Sequence, residues 1–147
     1  MSKHTEIRFE EAVEGALTAK GGYLQGRSSD FDPTLALFPD EVIVFIETSQ
    51  PKRWQSLVKL HGDQAGEMLL GALVKELASK NALHVLRHGF KCFGKTFRLA
   101  YFAPNTGMNP EATAAYSHNR LRVTRQVHFS EKHPNKTEKK PPSEKPD

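Results

Sequence analysis

The chain has 147 residues, 37% of them hydrophobic and 26% charged, with a net charge of +4. That is one ordinary domain with a modest core, and it excludes a wholly disordered, collagen-like or disulfide-rich protein. The charge is divided: residues 1–76 hold 8 Lys/Arg against 12 Asp/Glu, whereas residues 77–130 hold 8 against Glu111 alone, which suggests a polyanionic partner for the second half.

Residues 5–20 read as a helix, with Phe9, Val13, Ala16 and Leu17 on one face, Glu6, Glu10 and Glu14 elsewhere, and Gly21-Gly22 as its stop. Asp32-Pro33 and Phe38-Pro39 mark turns or helix starts. Residues 40–48 are apolar and β-branched, compatible with helix or strand. Pro51 opens a short helix carrying Trp54, Leu57, Val58 and Leu60. Asp63 is the expected N-cap of a longer helix over 64–79, striped by Leu69, Leu70, Leu73, Val74 and Leu77.

From residue 82 the pattern turns strand-like. Residues 83–86 and 97–102 read as strands joined around Gly89 and Gly94, and Asn109-Pro110 introduces a helix over 111–118. Residues 121–129 alternate apolar and polar, except that Arg125 falls on the apolar side and must be paired or at a sheet edge. From residue 131 the chain holds four prolines and no hydrophobic residue, the composition of a disordered Lys/Pro-rich tail over 131–147.

The single cysteine, Cys92, cannot close an internal disulfide, so a reducing intracellular setting is expected. The longest strictly aliphatic or aromatic run, residues 42–46, is far short of the roughly 20 a membrane helix needs. The first residues lack the apolar region of a signal peptide. A cytoplasmic protein without membrane contact is expected.

Residues 89–96 spell G-x-x-x-x-G-K-T. A phosphate loop needs a strand before it, a helix after it and an acid for magnesium. Here residues 97–104 read as a strand ending at proline, and no aspartate lies between Asp63 and Asp147. A hairpin accounts for the same letters, and a small nucleotide-binding protein is the alternative reading. His84 and His88 have helical spacing in a strand-like stretch, and nothing places a base beside Cys92. Arg87, Lys91, Lys95 and Arg98 bracket the expected hairpin, and Arg120, Arg122 and Arg125 lie on or beside the next strand. Adjacent strands would gather them into one phosphate-binding surface. Scattered surface charge explains the pattern equally well.

Several segments resemble the N-terminal region of the R subunit of type I restriction-modification systems. They are Thr5-Glu6-Ile-Arg-Phe9-Glu10, Gly21-Gly22-Tyr23, FIETSQPKRW from Phe45 to Trp54, Val85-Leu86-Arg87-His-Gly89-Phe-Lys91 and Arg98-Leu-Ala-Tyr-Phe-Ala-Pro104. Asn109-Pro-Glu111, Tyr116-Ser-His-Asn119-Arg120 and Val123-Thr-Arg125-Gln126-Val-His-Phe-Ser130 continue the run. The resemblance spans residues 5–130 and rests on order and spacing.

It implies the opening of a PD-(D/E)xK nuclease domain, α/β with a mixed sheet, in a subunit that also holds an ATP-driven DNA translocase. In the family the catalytic Asp and Glu-x-Lys follow the segment matched by residues 123–130, and their carboxylates hold Mg2+. Here the chain runs instead into Glu138-Lys139-Lys140 beside two prolines, and Pro39-Asp40 has no E-x-K after it on a plausible strand. The expectation is therefore an incomplete nuclease-like domain over 1–130, a helical N-terminal half followed by a partial mixed sheet, and a tail over 131–147. Strands 83–87, 97–102 and 121–129 would lose neighbours, leaving an exposed edge and marginal stability. No catalytic residue, metal site or cofactor is expected in this chain; Mg2+ and ATP belong to the full-length family, where Glu6 or Glu10 would assist the metal. Cleavage by the chain alone is not expected. The resemblance assigns Arg87, Lys91, Arg98, Arg120, Arg122 and Arg125 to non-specific DNA contact. It makes the methyltransferase and specificity subunits candidate partners.

Overall fold

A computed structural model describes residues 2–127. The expected tail, the Glu138-Lys139-Lys140 triplet and the end of the last expected strand lie outside the described residues. The chain is mixed α/β and dominated by helix: α1 (Lys3–Lys20), β1 (Leu24–Gln25), α2 (Pro39–Ser49), α3 (Pro51–His61), α4 (Ala65–Ser79), α5 (Ala82–His88), β2 (Phe90–Cys92), β3 (Lys95–Phe97), α6 (Pro110–Ser117) and β4 (Arg122–Val123).

Among the described residues the buried core is built by the middle of the chain. Phe45 and Ile46 from α2, Leu57 from α3, Ala65, Leu69 and Leu73 from α4, Val85 from α5, and Phe90, Cys92 and Phe97 from the β2–β3 hairpin form one buried cluster. The undecided stretch 40–48 is helical. Pro39 supplies a preset φ at the first position, and Asp40 and Glu41 place negative charge in the first turn. Pro51 then ends α2 and starts α3, because a proline ring forbids an unbroken helix at that point. Asp63 is not the N-cap expected of it: it sits inside a short 3-10 turn, Gly62–Gln64, and Gln64 precedes α4. Burial of Cys92 raises its thiol pKa above the ordinary value.

Residues 83–86 are helix, not strand. A four-residue apolar run is too short for periodicity to decide, and the deciding group is Asn81, whose Oδ1 accepts the His84 N–H at 2.8 Å and caps α5. The expected hairpin does form around Gly94. Phe93 and Gly94 both have positive φ, +48° and +75°, the backbone signature of a two-residue I′ turn. Phe90 pairs with Phe97, Lys91 with Thr96 and Cys92 with Lys95. Phe90, Cys92 and Phe97 point inward and Lys91 points to solvent.

The strand expected over 97–102 stops at Phe97. Beyond it the backbone is bound by side-chain amides in place of a neighbouring strand. Gln50, only 6% exposed, accepts the Arg98 N–H at 2.8 Å and donates Nε2–H to the Arg98 carbonyl at 2.9 Å. Asn119 does the same for Tyr101, accepting its N–H at 2.9 Å and donating to its carbonyl. The segment keeps its apolar side on the core through Leu99 and Tyr101 without entering a sheet.

The single mixed sheet is likewise replaced. The structure has two separate two-stranded sheets, antiparallel β2–β3 and parallel β1–β4. In the second, Leu24 pairs with Arg122 and Gln25 with Val123, and the strand expected over 121–129 is reduced to that pair within the described residues. α1 packs over this sheet yet buries none of its residues; Phe9 is 64% and Val13 41% exposed. One half of the molecule is thus held by a hydrophobic core and the other mainly by polar contacts. Among the described residues no helix is long and apolar enough to cross a membrane.

Candidate nucleic-acid interface

The seven basic residues singled out from sequence fall into two groups, one around the β2–β3 hairpin and one around β4, and these strands belong to separate sheets. The β4 group is committed to internal carboxylates. Arg120 Nε lies 3.1 Å from Glu41 Oε2 and Arg122 Nη2 lies 2.7 Å from Glu41 Oε1. Arg122 Nη1 also donates to the Gln25 carbonyl at 3.0 Å, clamping β4 to β1. Arg125, the break in the alternation, is paired: its Nε lies 3.2 Å from Glu14 Oε2 and its Nη1 lies 3.8 Å from Glu10 Oε2. Glu10 also accepts from Gln126 Nε2 at 3.2 Å. Its carboxylate therefore ties α1 to the segment after β4, while Glu6 sits one turn earlier, exposed in the first turn of α1. Among the described residues no three His, Cys, Asp or Glu side chains converge as a metal site.

Glu41 carries both of its arginines at roughly 30% exposure, so Glu41→Gln removes one charge and leaves two guanidinium groups without an acid. We expect a stability loss of about 1 to 2 kcal/mol. Urea unfolding measures it, and amide exchange should accelerate at β1 and β4 but not in the β2–β3 hairpin. A variant with unchanged unfolding would remove the clamp role.

The hairpin group differs in kind. Arg87, Lys91 and Arg98 are exposed, and none has a carboxylate within ion-pair distance among the described residues. Lys91 stands on the outer face of the hairpin opposite Thr96. Arg98 follows directly on the end of β3. Arg98 Nη1 donates to the Arg87 carbonyl at 3.0 Å, joining the end of α5 to the exit of β3. Lys95, across from Cys92, is half-buried at the hairpin tip.

Sequence reasoning missed a fifth member. Arg53, in the first turn of α3, donates Nη1–H to the Thr96 carbonyl at 2.8 Å. It belongs to the acidic half of the chain, so a charge count by segment cannot find it. One signal was present: Lys52-Arg53 puts two cations at a helix N-terminus, where the macrodipole disfavours positive charge.

Residues 89–96 lie in a hairpin whose second strand is followed by irregular chain up to α6, not the strand–loop–helix order that cradles a phosphate at a helix N-terminus. His84 and His88 share one helix after all, with ring centroids 4.6 Å apart. An open cleft of about 340 Å³, lined by Val42, Phe45, Leu86, Leu99 and Arg120 among others, lies between the two basic groups. The chain matches no family model, no curated protein and no solved structure.

Proposed function

We propose that residues 5–130 are the opening part of a nuclease domain of the type I restriction R-subunit kind. In this reading the chain contacts DNA through backbone phosphates and docks onto partner subunits, and does not cut DNA by itself. The observation that carries it is the division of the cations. Arg120, Arg122 and Arg125 hold the fold together, whereas Arg87, Lys91 and Arg98 keep their charge for an external anion.

Positive charge on a hairpin face offers no base-reading element, so binding is independent of sequence. Glu10 and Glu14 share Arg125 as an internal ion-pair partner, which supports assigning them a structural part. The exposed Phe9, Val13 and Leu24 beside the short parallel sheet offer apolar area for docking. The methyltransferase and specificity subunits are the partner class that the sequence resemblance implies.

Two unrelated duplexes titrated across a salt series test this. The expected dissociation constants are about 10⁻⁴ to 10⁻⁶ M at physiological salt for both, weakening steeply as salt rises. Supercoiled plasmid in Mg2+ should stay intact with rigorously purified protein. Absence of a duplex shift even at low salt would sink the DNA reading. Nicking that is lost in Glu10→Ala would overturn the non-cleaving assignment.

A further inference from the structure

We propose that Arg53 and Arg98, with Arg87 and Lys91 beside them, form a phosphate clamp at the corner where α3, the end of α5 and the β2–β3 hairpin meet. The proposal deepens the DNA-contact reading and rests on it for the source of the phosphate, but not for the site itself.

An arginine binds a phosphate well when its fork is held in place and its charge stays free. Its guanidinium is a planar fork of five donors, and its long side chain loses rotamer freedom when fixed. A carboxylate partner fixes the fork but cancels the charge, as Glu41 and Glu14 do for the β4 arginines. A main-chain carbonyl fixes the fork and leaves the charge whole. Arg53 and Arg98 are both held in that second way, on the Thr96 and Arg87 carbonyls at 2.8 and 3.0 Å. Each spends one N–H on the protein and keeps the others for a ligand.

The platforms under these two forks are themselves rigid. Thr96 is locked in the hairpin ladder against Lys91. The Arg98 backbone is bound at both its N–H and its carbonyl by Gln50. The Arg87 carbonyl sits in the last turn of α5, which passes through Gly89 into β2 and its ladder with β3. Arg53 comes from the first turn of α3, directly after Gln50. The buried Gln50 amide thus fixes the Arg98 backbone, and α3 fixes the place of Arg53. Pre-fixed charge lowers the ordering cost of binding, and a tetrahedral dianion or a phosphodiester is the group that a pair of such forks accepts. That phosphate comes either from a nucleic-acid backbone or from a free phosphate or pyrophosphate.

The test uses the full chain and the variants Arg53→Ala, Arg98→Ala, their double, Arg53→Lys, and Arg8→Ala as a control on exposed α1. Each is titrated with a duplex over a salt series and, separately, with inorganic phosphate and pyrophosphate by calorimetry. Thermal unfolding confirms that the folds are equal, which is expected because the Gln50 bonds engage only the Arg98 backbone. The expected result is a salt slope smaller by about one unit for each alanine variant and about two for the double, with Arg8→Ala at wild type. Arg53→Lys should keep most of the slope yet weaken binding, because a lysine has charge without the fork.

Duplex binding with an unchanged slope in the double variant overturns the clamp and leaves the DNA reading intact. Failure of wild type on duplex, together with phosphate or pyrophosphate binding that the double variant loses, overturns the DNA reading and assigns the clamp to free phosphate. Binding of neither probe overturns both.

Discussion

Gly89→Ala should destabilise the chain by about 3 kcal/mol or more, the largest loss expected from adding so little. Gly89 has φ +73° and ψ −164°, a backbone region that is essentially closed to residues with a side chain. A Cβ there would also strike the Phe97 carbonyl oxygen of the neighbouring strand, so the strain cannot be relieved by moving toward the sheet. The glycine is the joint at which α5 becomes β2, and Val85 and Phe90 on its two sides are both in the core. Gly94→Ala is the natural comparison. It too has positive φ, +75°, but a Cβ there meets nothing within 4 Å, so about 1 kcal/mol is expected. Urea unfolding of the two variants gives the contrast directly, and equal losses would mean that close approach at residue 89 does not matter.

Gln50→Leu is the second large effect, expected at about 2 to 4 kcal/mol. The side chains have similar volume, so little cavity is made. What is lost is one donor and one acceptor, both facing the backbone of Arg98, whose own N–H and carbonyl would be left without partners. Leu99 and Tyr101, which follow and pack on the core, should loosen with it. The distinguishing measurement is amide exchange at Arg98, which should become fast while Leu69 and Leu73 in α4 stay protected as far as global stability allows. An Arg98 amide as slow as in wild type would show that Gln50 is dispensable.

These two residues also mark where the sequence could be read and where it could not. The helices over 5–20 and 111–118 and the hairpin at Gly94 are visible because caps, periodicity and turn glycines lie within a few residues of one another. The strand pattern read over 97–102 holds only at Phe97, the last residue of β3. A strand pattern implies a second strand, and here glutamine and asparagine side chains from positions 50 and 119 take that place. No local pattern signals that. At 83–86 the apolar run fits strand and helix alike, and a single Asn81 side chain decides.

The basic site was half legible for a related reason. Charge counts place Arg120, Arg122 and Arg125 in a basic segment, but their acids come from the acidic half of the chain, Glu41 lying 79 positions from Arg120 and Glu14 lying 111 from Arg125. Arg53 was hidden the same way, as a cation in an acidic stretch that folds onto the hairpin. What was visible in sequence was the quantity of charge. The three-dimensional pairing decided which of it is free.

The parallel pairing of β1 with β4 also has a consequence in time. Gln25 and Arg122 are 97 positions apart, so during synthesis the first strand waits roughly 5 to 20 seconds for its partner to be made. The buried cluster uses only residues 45–97 and can close within that interval. α1 is therefore made first and docked last, its Phe9 and Val13 exposed in the nascent chain throughout, and arginines near the end of the described chain finally draw the helix down onto the sheet.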